Sequence, residues 1–371
     1  MSEFMTPHPP QLDRLLAEIL AELGAFQVAM LSGESDPYRH VRVLRPSGAD
    51  FRLEVKEYKR ITPATAESAC LALNRQGKAT GAQPVLFASI VSDRTSEIAT
   101  KYGVSWMDYV GNCRLVFPDF GIYVRRSGLA NPYGKQLPKV RNVFSAKSSR
   151  VIRAMLQEPL RGWQLNELAA HPDVRISPGL MSRIKRSLIE GGYTVMQAGK
   201  ICLKRPDDLL DDWVNHYRNH KPKEYNFYLR GELPQVEQQI ADWCSRSMDR
   251  YALSRFSAAW RLAPEVRYHV ASFMVPARAT LAEPWIDLAS NYGARKVDSG
   301  ANLVLQVVDD ESYFGNRLGD TMPTTSPLQT YLDLKAMEGR GEEAAMAIYE
   351  TYFKQPFADA TEQPAEHHEG N

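Results

Sequence analysis

The sequence is short of the features that most quickly define a protein's class. Cysteine is scarce: only Cys70, Cys113, Cys202 and Cys244 occur, and no two of them stand at CxxC spacing. That excludes the usual zinc ribbons and fingers and leaves no disulfide framework. No apolar run approaches the roughly 20 residues a membrane-crossing helix needs. The opening residues, MSEFMTPHPPQ, lack the basic-then-apolar layout of a secretory leader. A cytoplasmic protein with no membrane partner is expected. There is no internal repeat and no low-complexity tract. Nor is there an excess of charge: the net is +1 over 371 residues, so the chain as a whole is not built as a polyanion binder.

What is present is an ordinary globular composition, 44% hydrophobic and 24% charged, and a length sufficient for two or three domains. The charge is unevenly placed. Residues 139–205 hold 13 Lys+Arg against four Asp+Glu, a net of +9, which leaves −8 for the rest. A compact basic segment in an otherwise acidic chain is the footprint of a nucleic-acid-binding module.

Hydrophobic periodicity divides the chain. Leu12, Leu15, Leu16, Ile19, Leu20 and Leu23 have helical spacing. HVRVLR and FRLEVKEY alternate around the turn residues PSGAD, as in a hairpin. Residues 63–77 read as a helix and PVLFASIV as a strand buried on both faces. Ser92 or Asp93 can cap a helix to Tyr102, and CRLVF and GIYVRR make a further strand pair. Residues 11–126 are therefore expected to form an α/β domain. SGLANPYGKQLPK falls in an expected linker, 127–144. A helical module (145–206), a mixed α+β domain (207–356) and a disordered tail (357–371) complete the layout, an α/β + α protein.

The basic module has a specific pattern. Residues 148–157 predict a helix that buries Val151, Ile152, Met155 and Leu156, and residues 164–170 a short second helix. A third starts at Ser177 with Pro178 in its first turn and ends at Gly191–Gly192. TVMQAGKICLKR then reads as two strands turning at Ala198–Gly199. Three short helices and a hairpin are the layout of a winged helix-turn-helix. At 100° per residue, Leu180, Met181, Ile184 and Leu188 form the inward stripe of the third helix. Ser182, Arg183 and Arg186 point away from it, with Lys185 on a flank. Arginine can bond guanine O6 and N7 together, and serine suits bases or phosphate. Ser177, Ser182, Arg183, Lys185 and Arg186 are the candidate groove residues. Lys200, Lys204 and Arg205, on or beside the wing, are candidates for phosphate contacts.

In the first domain Glu54-Val55-Lys56 lies on a strand that precedes a helix and a buried strand. This resembles the core of the PD-(D/E)XK nuclease superfamily, whose acid helps bind magnesium while the lysine assists the attacking water. The metal also needs a second carboxylate nearby. Asp50 stands four residues from Glu54 on the same strand, roughly 13 Å away at ~3.3 Å per residue. A turn centred near Ser47–Gly48 would place Arg42 and His40 opposite Glu54 and Lys56, basic where a metal needs acid. Asp36, Glu18 and Glu22 remain as other acids. The expectation is a nuclease-like but inactive domain in which Glu54 and Lys56 are vestigial, with no metal and no cofactor.

Three passages together resemble the AbiEi-like antitoxins of type IV toxin–antitoxin systems, a family grouped with transcriptional regulators. They are GVSWMDYVGNCRLVFPDFGIYV (103–124), the winged helix, and the C-terminal YALSRFSAAWRLAP and SPLQTYLDLKAMEGRGEEAA. The last is the most specific. The resemblance implies a repressor of its own operon or of a mobile element, and a nucleotidyltransferase-like toxin as partner. Asp108, Gly111 and Asn112, and Asp333, Arg340 and Glu342, fall in its motifs; turn formation, capping and ion pairing would explain them. The front domain departs from the simplest members, which have only the winged helix and the C-terminal domain. The expected function is sequence-specific binding of a double-stranded operator, as a homodimer. A winged-helix-targeted nuclease and a winged-helix protein-interaction module are the alternatives.

Overall fold

The computed structural model describes residues 12–31, 38–48, 50–130, 143–218, 222–247, 250–277, 286–314, 322–337 and 339–362. Most of the expected linker (131–142) and Asp36 lie outside these residues. The chain divides into two compact units, residues 1–141 with 187–192 and residues 142–186 with 193–371. Its class is mixed α/β.

Among the described residues, the first unit holds a seven-stranded sheet packed with α-helices. Helix α1 (Leu12–Leu20) buries Leu12, Leu16, Ile19 and Leu20, the residues that helical spacing puts on one face. The strands are β1 (Gln27–Met30), β2 (Arg39–Leu44), β3 (Asp50–Tyr58), β4 (Gln83–Ala88), β5 (Ser105–Asp108), β6 (Cys113–Phe117) and β7 (Ile122–Arg126). They lie in the sheet in sequence order. Only β3–β4 and β4–β5 are parallel. Parallel neighbours need crossovers, and α2 (Pro63–Thr80) and α3 (Asp93–Lys101) supply them. Ser92 caps α3 by accepting from the Thr95 N–H at 3.2 Å. The alternation of β3 sends Leu53 and Val55 into the core shared with α1. Leu86 and Trp106 enter a second core with Ala66, Cys70 and Leu73 of α2.

The β2–β3 register differs from the expected one by a residue pair. Leu44 faces Asp50, so the loop centres on Ser47 and His40, not Arg42, faces Glu54. The Gly48 N–H closes this loop on the Arg45 carbonyl at 2.9 Å.

The second unit opens with α4 (Ala146–Gln157), α5 (Leu165–Ala170) and the larger part of α6 (Pro178–Glu190), whose residues 187–190 are assigned to the first unit. A hairpin of β8 (Thr194–Gln197) and β9 (Lys200–Leu203) follows. Its turn residues Ala198 and Gly199 have φ of 46° and 77°. Left-handed residues at both turn positions match the twist of paired strands. Trp163 pairs with Ile201 and so adds a bridge on the far side of β9. Next come α7 (Pro206–Arg218), β10 (Lys223–Tyr228), α8 (Leu233–Ser247), β11 (Ala252–Leu253), α9 (Arg255–Leu262), β12 (Ala271–Pro276), α10 (Ile286–Tyr292), β13 (Arg295–Lys296) and β14 (Leu303–Val308). The five strands form a sheet in the order β11-β12-β14-β10-β13.

Helices α11 (Pro327–Lys335), α12 (Gly341–Tyr352) and α13 (Lys354–Glu362) end the described chain. Ser326 caps α11 by accepting from the Gln329 N–H at 3.2 Å. Gly341 starts α12 where a Cβ would sit 2.4 Å from the Leu334 carbonyl oxygen, so only glycine allows this close approach. The tail expected from residue 357 is helical as far as Glu362, because Phe357 and Ala360 are buried. Residues 363–371 lie outside the described ones. Among the described residues no helix is long and apolar enough to cross a membrane.

Candidate nucleic-acid interface

Helix α6 is amphipathic. Met181, Ile184 and Leu188 are buried, as their spacing requires. Leu180, expected in the same stripe, is only half-buried, and Ser187 is buried in addition. Burying that stripe turns Ser182, Arg183 and Arg186 outward, and all three are exposed; Lys185 is half-buried on the flank. Ser177 accepts from the Leu180 N–H at 3.3 Å, so its hydroxyl serves as the helix cap. Lys200 and Lys204 are exposed on and just after the hairpin.

The side chains of Arg183, Lys185, Arg186, Lys200 and Lys204 make no hydrogen bond or ion pair with any described residue. Arg205 is different. It is half-buried, with Nη1 3.9 Å from an Asp208 carboxylate oxygen at the start of α7. Of the expected wing cations it is the one with a carboxylate beside it.

Sequence reasoning missed Arg175. It lies in the turn between α5 and α6 with φ of 45° and is exposed, and its side chain has no partner among the described residues. Only its charge beside the third helix could have signalled it. Arg161, by contrast, is neutralised. It lies over the Trp163 ring and pairs with Glu158 and Glu167.

Behind α4 lies a buried polar network. Arg153 Nη2 donates to Gln329 Oε1 at 2.6 Å. Gln329 Nε2 donates to the Tyr217 hydroxyl at 2.8 Å and to Asp333 Oδ1 at 3.0 Å, and the Tyr217 hydroxyl donates to that same oxygen. Burial lowers the Arg153 pKa and pushes the Asp333 carboxyl up to about 6. Asp310 goes the other way. Burial would raise its pKa, but bonds from the Ser312 N–H and the Arg150 guanidinium outweigh that and hold it down. Glu342 pairs with Lys335 at 2.5 Å, and Arg340 precedes the first residue of α12.

In the first unit, Glu54 is fully buried on the α2 side of β3. Its Oε2 lies 3.2 Å from His40 Nδ1 and accepts from the Thr80 hydroxyl at 3.1 Å; Oε1 has no partner. The Lys56 ammonium lies over the rings of Tyr38 and Tyr58. Asp50 is held by Arg42 Nε at 2.5 Å. Among the described residues no three His, Cys, Asp or Glu side chains are grouped as metal ligands. Asp108 and Asn112 build a turn. Asp108 accepts from the Val110 and Asn112 N–H groups, and Asn112 ties Leu129 to it. Gly111 takes the left-handed position of this turn, at φ 93°. All four thiols are free, and burial raises the pKa of each, Cys70 and Cys113 to about 11, so none is an activated nucleophile.

Residues 202–354 match the family described as "Transcriptional regulator, AbiEi antitoxin, Type IV TA system". The match runs from Cys202, inside β9, through α12 to Lys354, the first residue of α13, and includes the PLQTYLDL and GRGEEAA segments. No curated protein and no solved structure matches the chain.

Proposed function

We propose that this protein is a sequence-specific DNA-binding repressor that reads its operator through a winged helix formed by α4, α5, α6 and the β8–β9 hairpin. The observation that carries this reading is the set of five unpaired cations on α6 and around the hairpin, with Ser182, Arg183 and Arg186 forced outward by the buried Met181/Ile184/Leu188 stripe. Unpaired arginines on an exposed helix suit guanine edges, and lysines on a wing suit phosphates. The family match over residues 202–354 supports the regulatory role. It also supports a protein toxin as partner, with this chain as the antitoxin.

A single module of this kind contacts too little DNA for high specificity, so the operator-bound form is a homodimer on a two-fold site. The front unit, whatever the likeness of its Glu54-Val55-Lys56 to a nuclease motif, does not cut. Its Glu54 is engaged by His40 and Thr80, and its Asp50 by Arg42. Sequencing the DNA that co-purifies with the full chain tests the main claim. One enriched, near-palindromic motif supports it; a random genomic sample contradicts it.

A further inference from the structure

Strand β7 is an edge of the seven-stranded sheet. It has β6 on one side and, among the described residues, no strand on the other. The hydrogen bonds of β6 fix which backbone groups face that edge. The Val116 N–H donates to Ser105 Oγ at 3.0 Å, and Ser105 Oγ donates to the Val116 carbonyl at 3.3 Å, so both groups of Val116 turn toward β5. A residue that turns away from an antiparallel neighbour makes a non-hydrogen-bonded pair with it, and such pairs recur every second residue. Val116 faces Tyr123, and Arg114 faces Arg125. Tyr123 and Arg125 therefore both present N–H and carbonyl groups to the open edge.

Their side chains share one face of the sheet, the face on which Trp106, opposite Arg114, joins the α2 core. Arg114 is half-buried, Arg125 is exposed, and Tyr123 is 63% exposed. The side chains of Arg114 and Arg125 make no hydrogen bond or ion pair with any described residue. Like charges directly opposite are destabilising, and a non-hydrogen-bonded pair sets them at the closest cross-strand spacing, about 4.5 Å between Cα atoms. A strand added along β7 would extend the Arg114–Arg125 row by one residue, and an acid there would offset the repulsion. Two positions along, the same strand would cover the Tyr123 ring. A second copy pairing through β7 would instead bring further arginines to the patch. Phosphates offer acceptors alone and leave the edge carbonyls without donors, whereas a peptide strand matches both.

We propose that β7 takes on an added strand from an extended acidic peptide segment of a protein partner, with a carboxylate beside Arg125 and Arg114 and an apolar side chain against Tyr123. The claim is independent of whether α6 reads DNA.

Fluorescence anisotropy of a short labelled peptide, titrated with the full chain at constant ionic strength, tests it. The peptide has threonine at every second position, with glutamate and valine alternating between them. Saturable binding is expected. The same peptide with lysine for glutamate should not bind. Nor should one N-methylated at its glutamates and valines, which keeps the side chains but lacks the donors for a ladder. Arg125→Ala, an exposed change that leaves the fold alone, should weaken binding about fivefold, the size of one opposite-charge cross-strand pair. Tyr123→Pro, which removes an outward N–H at a position where edge strands accept proline, should weaken it further. The proposal falls if the acidic peptide does not saturate, or if the lysine or N-methylated peptide binds equally well. It falls if folded Arg125→Ala binds like the wild type, or if Arg186→Ala with Lys204→Ala removes peptide binding instead. Labelled oligothymidylate that binds more tightly than the peptide, and loses that affinity in Arg125→Ala, would make the surface a nucleic-acid one and also overturn it.

Discussion

Nη2 of Arg153 donates to Oε1 of Gln329 at 2.6 Å, which bonds the first helix of the candidate winged helix to the helix that carries PLQTYLDL. Gln329 is fully buried and also reaches Tyr217 and Asp333. It therefore holds α4, α7 and α11 in one set of bonds.

Truncating Gln329 should be costly. Gln329→Leu keeps much of the volume but removes the one side-chain hydrogen-bond acceptor that Arg153 has among the described residues. Leaving a buried charged donor unsatisfied costs about 1–3 kcal/mol or more. Denaturant unfolding followed by circular dichroism should show a loss of that size. An unchanged midpoint would mean that the bond contributes nothing to stability.

Asp333 gives stability a pH dependence. Its carboxyl moves from an ordinary 3.8 to about 6 on folding, because burial penalises the charged form. Between those values the native state binds more protons than the unfolded state, so this group's contribution is full below pH 3.8 and is lost as pH rises through about 6. The loss amounts to roughly 3 kcal/mol at most. Asp333→Asn keeps an acceptor for Tyr217 and Gln329 but cannot ionise. Unfolding free energies measured across that window should fall for the wild type and stay flat by comparison for the variant. Parallel curves would contradict the assignment.

The front unit should not cleave nucleic acid. Duplex, nicked and single-stranded DNA should survive incubation with Mg²⁺ or Mn²⁺, because Glu54 is already bonded to His40 and Thr80 and Asp50 to Arg42. Robust cleavage that Lys56→Ala abolishes would establish a metal-dependent nuclease instead.

Much of this architecture is legible in local periodicity. Leucine spacing marks α1, alternation marks β2 and β3, and Pro178 and Ala198–Gly199 mark the start of α6 and the tip of the hairpin. What is not legible is pairing at a distance. The partner of Glu54 depends on where a five-residue loop centres, and a shift of one residue there exchanges Arg42 for His40. Arg153 meets Gln329 across 176 positions, and nothing in either segment announces it. The outward face of α6 is readable because burying one stripe fixes the other. Charge alone does not reveal Asp208 beside Arg205. The helical start of the expected tail is missed because only Phe357 and Ala360 anchor it.

Light scattering should find two copies of the chain on each operator. Half-sites one or more helical turns apart mirror a two-fold protein. A monomer both free and on its operator would rule this out.

The most direct test of the central claim is affinity for operator and random-sequence DNA at several salt concentrations, for the wild type, Arg186→Ala and Lys204→Ala. The wild type should bind the operator more tightly and lose affinity steeply with salt, as released counter-ions require. Arg186→Ala should cost about 1–3 kcal/mol on the operator and little on random DNA. Lys204→Ala should weaken both and lower the salt slope by about one unit. If a folded Arg186→Ala binds the operator like the wild type, α6 is not the reading helix. If neither variant matters and the wild type shows no salt dependence, the protein does not act through DNA.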